Sequence, residues 1–280
     1  MEKPLETNKP TAAEAVPFGH DLHVHTFLSG CCKTPWCSFP DNIIARAAEA
    51  GIRILGFADH LWDSAVTGAT AWYAPQDFRH VSEVRRLMPP QTRGVRVLFG
   101  CETEMRGDGT PCISPAVAEQ LDFVLLPHSH LHIKGVLPAD CRSPRQIADF
   151  MVQRFLRSLE FEFVTGIPHA FVPGNDQSQA DQVVACLGDA QLQDCFGRAA
   201  DRGVAIEITP NFFPSLRHAE QRPFHDESYL RVLTAAKAAG CLFYLGSDAH
   251  SLDRVGQTAK LAPFLAMLGI VREDLHPLVR

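Results

Sequence analysis

The sequence predicts an α/β fold, a single distorted TIM-like (β/α)7 barrel. Two observations carry this: seven short apolar runs alternate with helix-like segments, and the connections between them have the ordinary length of parallel βα units. A third is that no internal repeat and no Pro- or Gly-rich linker divides the chain, so 280 residues, 46% of them hydrophobic, are assigned to one large core. A doubly wound open sheet is the alternative, because strand order is not written in one sequence.

The strand segments are 20–25 (HDLHVH), 52–58 (IRILGFA), 95–101 (VRVLFGC), 121–127 (LDFVLLP), 162–168 (EFVTGIP), 203–209 (GVAIEIT) and 241–247 (CLFYLGS). Helices are expected from Asp41 as N-cap to Gly51 as C-cap, from Ser143 through Glu160, and over 76–88, 179–201, 227–239 and 257–268. Residues 1–17, with Pro4, Pro10 and Pro17 and no periodicity, read as a mobile tail before a domain spanning 18–280.

Charge narrows the function. With 26 basic and 32 acidic side chains the net charge is −6, which provides no basic field for nucleic acid or an anionic membrane. A small diffusible substrate is the expected partner. No run reaches the roughly 18 apolar residues of a membrane span, and Met1-Glu2-Lys3-Pro4 does not open a signal segment, so a cytoplasmic location is expected. Nine scattered cysteines make no disulfide framework and should be mostly reduced and inert.

The chemistry lies in the histidines. Nine of the 13 (His20, His23, His25, His60, His128, His130, His132, His169 and His250) fall within or just after a strand segment, and the carboxylates Asp59, Glu102, Glu104, Glu207 and Asp248 occupy the same places. In parallel α/β folds the C-terminal strand ends converge on one mouth. His23 and His25, two apart on a strand, share a face and suit one ion, and imidazole with carboxylate is a ligand set for first-row metals.

The segments DLHVHT, GFADH, GCE, PHSHLH, GIPHA and GSDAH, taken in this order between about residues 20 and 256, resemble the PHP (polymerase and histidinol phosphatase) superfamily. The resemblance implies phosphoesterase activity through two or three Zn, Mn or Fe ions, with a metal-bound hydroxide attacking phosphorus in line. It implies that His23, His25, Glu102 and Asp248 surround one ion, and that Glu102 bridges to a second held by His169 and a histidine of PHSHLH. His130 is favoured over His128 for that place, and His132 is read as a pocket residue. Glu102, Asp248 and His250 are expected to act most directly in catalysis.

The third site departs from the pattern. His60 and His250 remain, but a histidine usual six residues after the HxH pair is here Cys31, either a thiolate ligand or a loop cysteine beside a weak site. Glu207 is read as a pocket or structural carboxylate, and Asp59 as an orienting residue behind a histidine. Phosphate-binding cations are sought among Lys33, Arg106, Lys134, Arg142, Arg217, Arg222 and Arg254, and a leaving-group acid among His218, His225 and a metal-bound water. Trp36, Trp62, Trp72 and Phe212-Phe213 are candidates to frame the entrance. Histidinol phosphate is one possible substrate. The competing readings are an amidohydrolase-like metal-dependent hydrolase and a non-catalytic PHP accessory module.

Overall fold

The computed structural model describes residues 17–174, 176–216 and 224–280. The expected tail therefore lies outside the described residues except for its last position. Eight strands, all parallel, appear: β1 (His20–Val24), β2 (Ile54–Phe57), β3 (His60–Leu61), β4 (Arg96–Thr103), β5 (Phe123–Leu125), β6 (Gly166–Ile167), β7 (Ala205–Ile208) and β8 (Phe243–Leu245). Their order around the sheet follows the chain, β1-β2-β4-β5-β6-β7-β8, which selects the barrel over the doubly wound alternative.

β3 is no extra stave. Phe57 pairs with Phe99 and His60 with Glu102, the same offset, so β2 and β3 are one strand interrupted at Ala58-Asp59. Seven staves remain. The ring is nearly closed: β1 and β8 meet through the bridge of Val24 with Ala249, where His25 N donates to Ala249 O (3.0 Å) and Ala249 N to His23 O (3.4 Å).

Helices α1 (Pro40–Glu49), α2 (Phe78–Arg86), α3 (Pro115–Ala118), α4 (Pro144–Ser158), α5 (Ala180–Cys186), α6 (Asp189–Arg202), α7 (Asp226–Ala238) and α8 (Ala262–Leu268) follow the strands. α1 turns Ile43, Ile44 and Ala47 inward. Pro40 fills its first turn, so Phe39 and not Asp41 is the N-cap, and Ala50 is the C-cap, followed by Gly51 at φ 78°. α4 starts with a capping box in which Ser143 and Gln146 satisfy each other's backbone.

The helix expected over 179–201 is two helices. Gly188 N donates to Gln191 Oε1 (3.0 Å), starting α6. The carbonyls of Val184 and Leu187 at the end of α5 accept from the Arg231 guanidinium of α7 (2.6 and 2.8 Å). A glycine of weak helix propensity and a cation from another helix together stop the first helix.

The strands are buried almost throughout, as expected where helices cover a barrel whose inside is packed. Close approach demands glycine at Gly56, where an added Cβ would stand 2.5 Å from Leu22 O of the neighbouring strand. Backbone cannot give way as a side chain can. Gly56→Ala should cost about 1–3 kcal/mol of stability, read as a lower urea midpoint; an unchanged midpoint would contradict the tight β1–β2 contact.

Candidate metal centre

The strand ends gather what the sequence had dispersed. Adjacent pairing of β3 with β4 puts His60 beside Glu102, β1 brings His23 and His25, and the segments after β5, β6 and β8 bring His130, His169 and Asp248 with His250. His23, His25, His60, His130 and His169 surround the buried carboxylate of Glu102. Its Oε2 lies 3.4 Å from His23 Nε2, 3.6 Å from His25 Nε2 and 3.3 Å from His60 Nδ1. Its Oε1 lies 3.6 Å from His130 Nε2 and 3.3 Å from His169 Nε2. One carboxylate thus faces two groups of imidazoles, one with each oxygen. Asp248 Oδ1 joins the first group at 3.2 Å from His25 Nε2 and 3.6 Å from His23 Nε2.

The outward nitrogens of most of these rings are engaged. His23 Nδ1 meets Glu207 Oε1 (2.7 Å), and His130 Nδ1 meets Glu104 Oε1 (2.8 Å). Ser29 Oγ donates to Asp59 (2.8 Å), so at His25 Nδ1 (3.0 Å) it is the acceptor. His250 Nδ1 meets the Asp248 carbonyl (2.9 Å). A proton held on Nδ1 leaves the Nε2 lone pair of His23, His25 and His130 aimed inward, the orientation in which imidazole binds a cation. Asp59 therefore does orient a histidine, but through Ser29.

Burial would raise the Glu102 carboxyl, but His23 and His130 outweigh it and hold it well below the usual carboxylate range. In return, against the burial that would lower them, Glu207 and Glu102 raise His23 well above the usual imidazole range, Glu104 and Glu102 raise His130 to about 9, and His25 is raised too, so without an ion protons supply part of the positive charge it would bring. Burial pushes His60 well down and His169 down to about 3, so both rings stay neutral. Burial raises Glu207 to about 7 against the pull of His23. For Cys31, burial raises the thiol, but His25 and His250 prevail and lower it. His169 and Asp248 sit at φ 45° and 48°, left-handed for non-glycine residues, a strain of about 1–3 kcal/mol each. Hydrogen bonds hold both: His169 N donates to Glu207 Oε2 (3.2 Å), and Asn211 Nδ2 to Asp248 Oδ2 (3.1 Å).

Four donor groups have their ligand atoms within 4.8 Å of one another: His23, His25 and Asp248; Glu102, His130 and His169; His25, Cys31, His60 and His250; and His23, His169 and Glu207. His128 belongs to none of these. It is buried against Phe155 and Phe171. A mouth of about 560 Å³ opens above the centre, lined among others by Cys31, Trp72, Tyr73, His132, Lys134 and Phe212.

Of the cations considered, Lys134 lines this mouth. Arg106 lines an adjoining pocket and pairs with Asp108 (3.0 Å), Arg254 donates to Asn211, and Arg142 to the Ala139 carbonyl. Arg217, Arg222 and His218 lie outside the described residues. His225 pairs with Asp181 (2.6 Å) and does not line the mouth. Among the aromatics Trp72 and Phe212 frame the entrance, Trp62 lines the adjoining pocket, Trp36 is exposed away from both, and Phe213 stacks on Phe264. Sequence reasoning overlooked Ser29, Asn211 as a support for Asp248, and Tyr73, whose hydroxyl donates to Glu104 (2.6 Å). Only Asn211, in AIEITPN, carried a signal.

The donors fit divalent cations. Glu102 Oε1 and His60 Nδ1 are buried without a hydrogen-bond partner, an unmet need that a cation between the donors would answer. Glu207→Gln, which removes the charge behind His23, should weaken metal binding by about 10–100-fold and leave the fold intact. Chelator competition measures this; an unchanged affinity would make Glu207 merely structural.

No family model matches the chain. It is 23% identical over 254 residues to a probable phosphatase of Clostridium botulinum, covering 90% of this chain and 87% of that one. It is 26% identical over 238 residues to the probable phosphatase YcdX of Escherichia coli, covering 85% and 80%. Among solved structures, the histidinol phosphate phosphatase of Lactococcus lactis, complexed with zinc, L-histidinol and phosphate, aligns over 90% of this chain and 94% of its own at TM-score 0.58 and 16% identity, a likeness of fold. No helix among the described residues is long and apolar enough to cross a membrane. The chain is thus similar to probable phosphatases over 85–90% of its length, and the mouth of its barrel gathers donors that fit divalent ions.

Proposed function

We propose that the protein hydrolyses a small phosphomonoester at a multinuclear centre built on Glu102. The observation that carries this is the split of the Glu102 carboxylate between two groups of imidazoles, one per oxygen. His23, His25 and Asp248 would hold one ion, and His130 and His169 a second, with Glu102 shared between them. Divalent ions of Zn, Mn or Fe type would supply Lewis acidity toward the phosphoryl oxygens and toward water.

The chain's own residues do the rest. Glu207, Glu104 and the Asp59-Ser29 pair keep the ring protons on the outward nitrogens. Trp72, Tyr73 and Phe212 give the mouth an apolar wall that shields the reacting group from bulk water. Lys134 on the rim is the cation we assign to the anionic substrate. Histidinol phosphate is the first ester to test, because the Lactococcus neighbour holds L-histidinol and phosphate. Nine free cysteines favour a reducing, cytoplasmic compartment.

Metal analysis of the purified protein with a panel of histidinol phosphate, nucleotides and sugar phosphates tests the proposal. Less than one ion per chain together with no metal-stimulated hydrolysis would sink it. Glu102→Gln should retain its circular dichroism spectrum yet lose more than about tenfold in rate, or about 1.4 kcal/mol of transition-state stabilisation. Lys134→Ala should lower kcat/KM by about three- to tenfold through KM, a modest effect because an exposed charge is screened. Lys134→Arg should restore most of it, and an unchanged KM in Lys134→Ala would remove this residue from the site.

A further inference from the structure

One donor group on the rim differs in character from the rest. Cys31 Sγ and ring nitrogens of His25, His60 and His250 lie within 4.8 Å of one another, and Cys31, His60 and His250 all line the mouth. The loop carrying the thiol is braced. Ser29 N donates to Thr26 O (3.2 Å) and Cys32 N to Ser29 O (3.0 Å), closing tight turns on either side of Ser29. Asp59 accepts from Thr26 N (2.6 Å) and Ser29 Oγ (2.8 Å), and Gln76 Oε1 from Gly30 N (2.7 Å). Lys33 N donates to the His250 carbonyl (2.6 Å), tying the cysteine loop to the histidine it faces.

His25 lies in two of the groups, and its Nε2 stands 3.2 Å from Asp248 Oδ1. That nitrogen has one lone pair and serves one ion. Assigned to the ion beside Asp248, it leaves Cys31, His60 and His250 as a separate set of one sulfur and two nitrogens. We propose that these three side chains form a thiolate-containing zinc site that adjoins the Glu102 centre at His60, whose Nδ1 lies 3.3 Å from Glu102 Oε2, and that differs from the other sites in its sulfur donor; this rests on the metal-dependent reading above.

Ligand softness separates the sites. A thiolate selects zinc over manganese, whereas sites completed by carboxylate oxygens accept harder ions. Three protein donors beside an open mouth also leave a coordination position for a solvent or substrate oxygen, as in zinc sites that act on substrates. On binding, the Cys31 thiol releases its proton to solvent and the sulfur lone pair enters the bond to the ion. Cys32 and Cys37 are no substitutes: neither lines the mouth, and Cys37 Sγ donates to Thr34 O (3.5 Å).

Cobalt separates this inference from the reading beneath it. Chelator-stripped protein reloaded with Co²⁺ should show visible d–d absorption together with a near-ultraviolet sulfur-to-cobalt charge-transfer band. Cys31→Ser should abolish that band and lower the metal content by about one ion per chain, Cys31→His should abolish the band but keep the full count, and Cys32→Ser should change nothing. Visible absorption without the band, or a band that survives Cys31→Ser, overturns the thiolate site and leaves the Glu102 centre standing. No cobalt absorption at all overturns the metal-dependent reading as well. Should the serine variant fail to fold, alkylation of the wild type decides: in the zinc-loaded protein Cys31 should resist iodoacetamide until chelator is added, and a thiol equally reactive in both states overturns the proposal.

Discussion

Glu102 stands at the inner end of β4, the longest strand, with its charge removed from water and its Oε1 free of hydrogen bonds. A buried, unpaired carboxylate would cost several kcal/mol, so the surroundings have to answer it. They do so in two layers. Imidazoles face the carboxylate, and behind them further acceptors hold the Nδ1 protons of His23, His25 and His130, which turns their Nε2 atoms toward the anion. Divalent charge in the centre would replace the protons that His23, His25 and His130 otherwise take up beside it. The folds of β2 and β3, the turn at Ser29 and the left-handed residues His169 and Asp248 all serve that geometry.

For His23 and His130 the orienting acceptors come from staves other than those carrying the rings. Glu207 on β7 holds His23 of β1 and the backbone of His169 after β6, while Glu104 after β4 holds His130 after β5. The positions of these two rings are therefore set by the relation between staves, which is stiff. Glycine at Gly246 has a related purpose: a Cβ there would collide with Glu207 and with His23.

Much of this could be read from the residues. The seven staves announced themselves as short apolar runs, and their ends as histidine and carboxylate positions, because parallel topology forces those ends together. What escaped was non-local. The choice of His130 over His128 is made by Phe155 and Phe171, which enclose His128, and no spacing rule contains them. The break between α5 and α6 depends on Arg231, more than 40 residues downstream. Ser29 is an ordinary loop serine until Asp59 is seen to lie against it. Lys134 stands out among the cations only once the loop after β5 is folded over the mouth.

The barrel's seam has a consequence of its own. First and last staves are joined by a short bridge at Ala249 and its two hydrogen bonds, directly beneath His23, His25 and Asp248. The residues meeting there are separated by some 225 positions in the chain, so the seam carries a large loop-closure entropy and belongs among the late events of folding. An ion shared by His23, His25 and Asp248 would staple the first stave to the last. Opening of the seam, visible as amide exchange at His25 and Ala249, and residence time of that ion would then be two views of a single equilibrium.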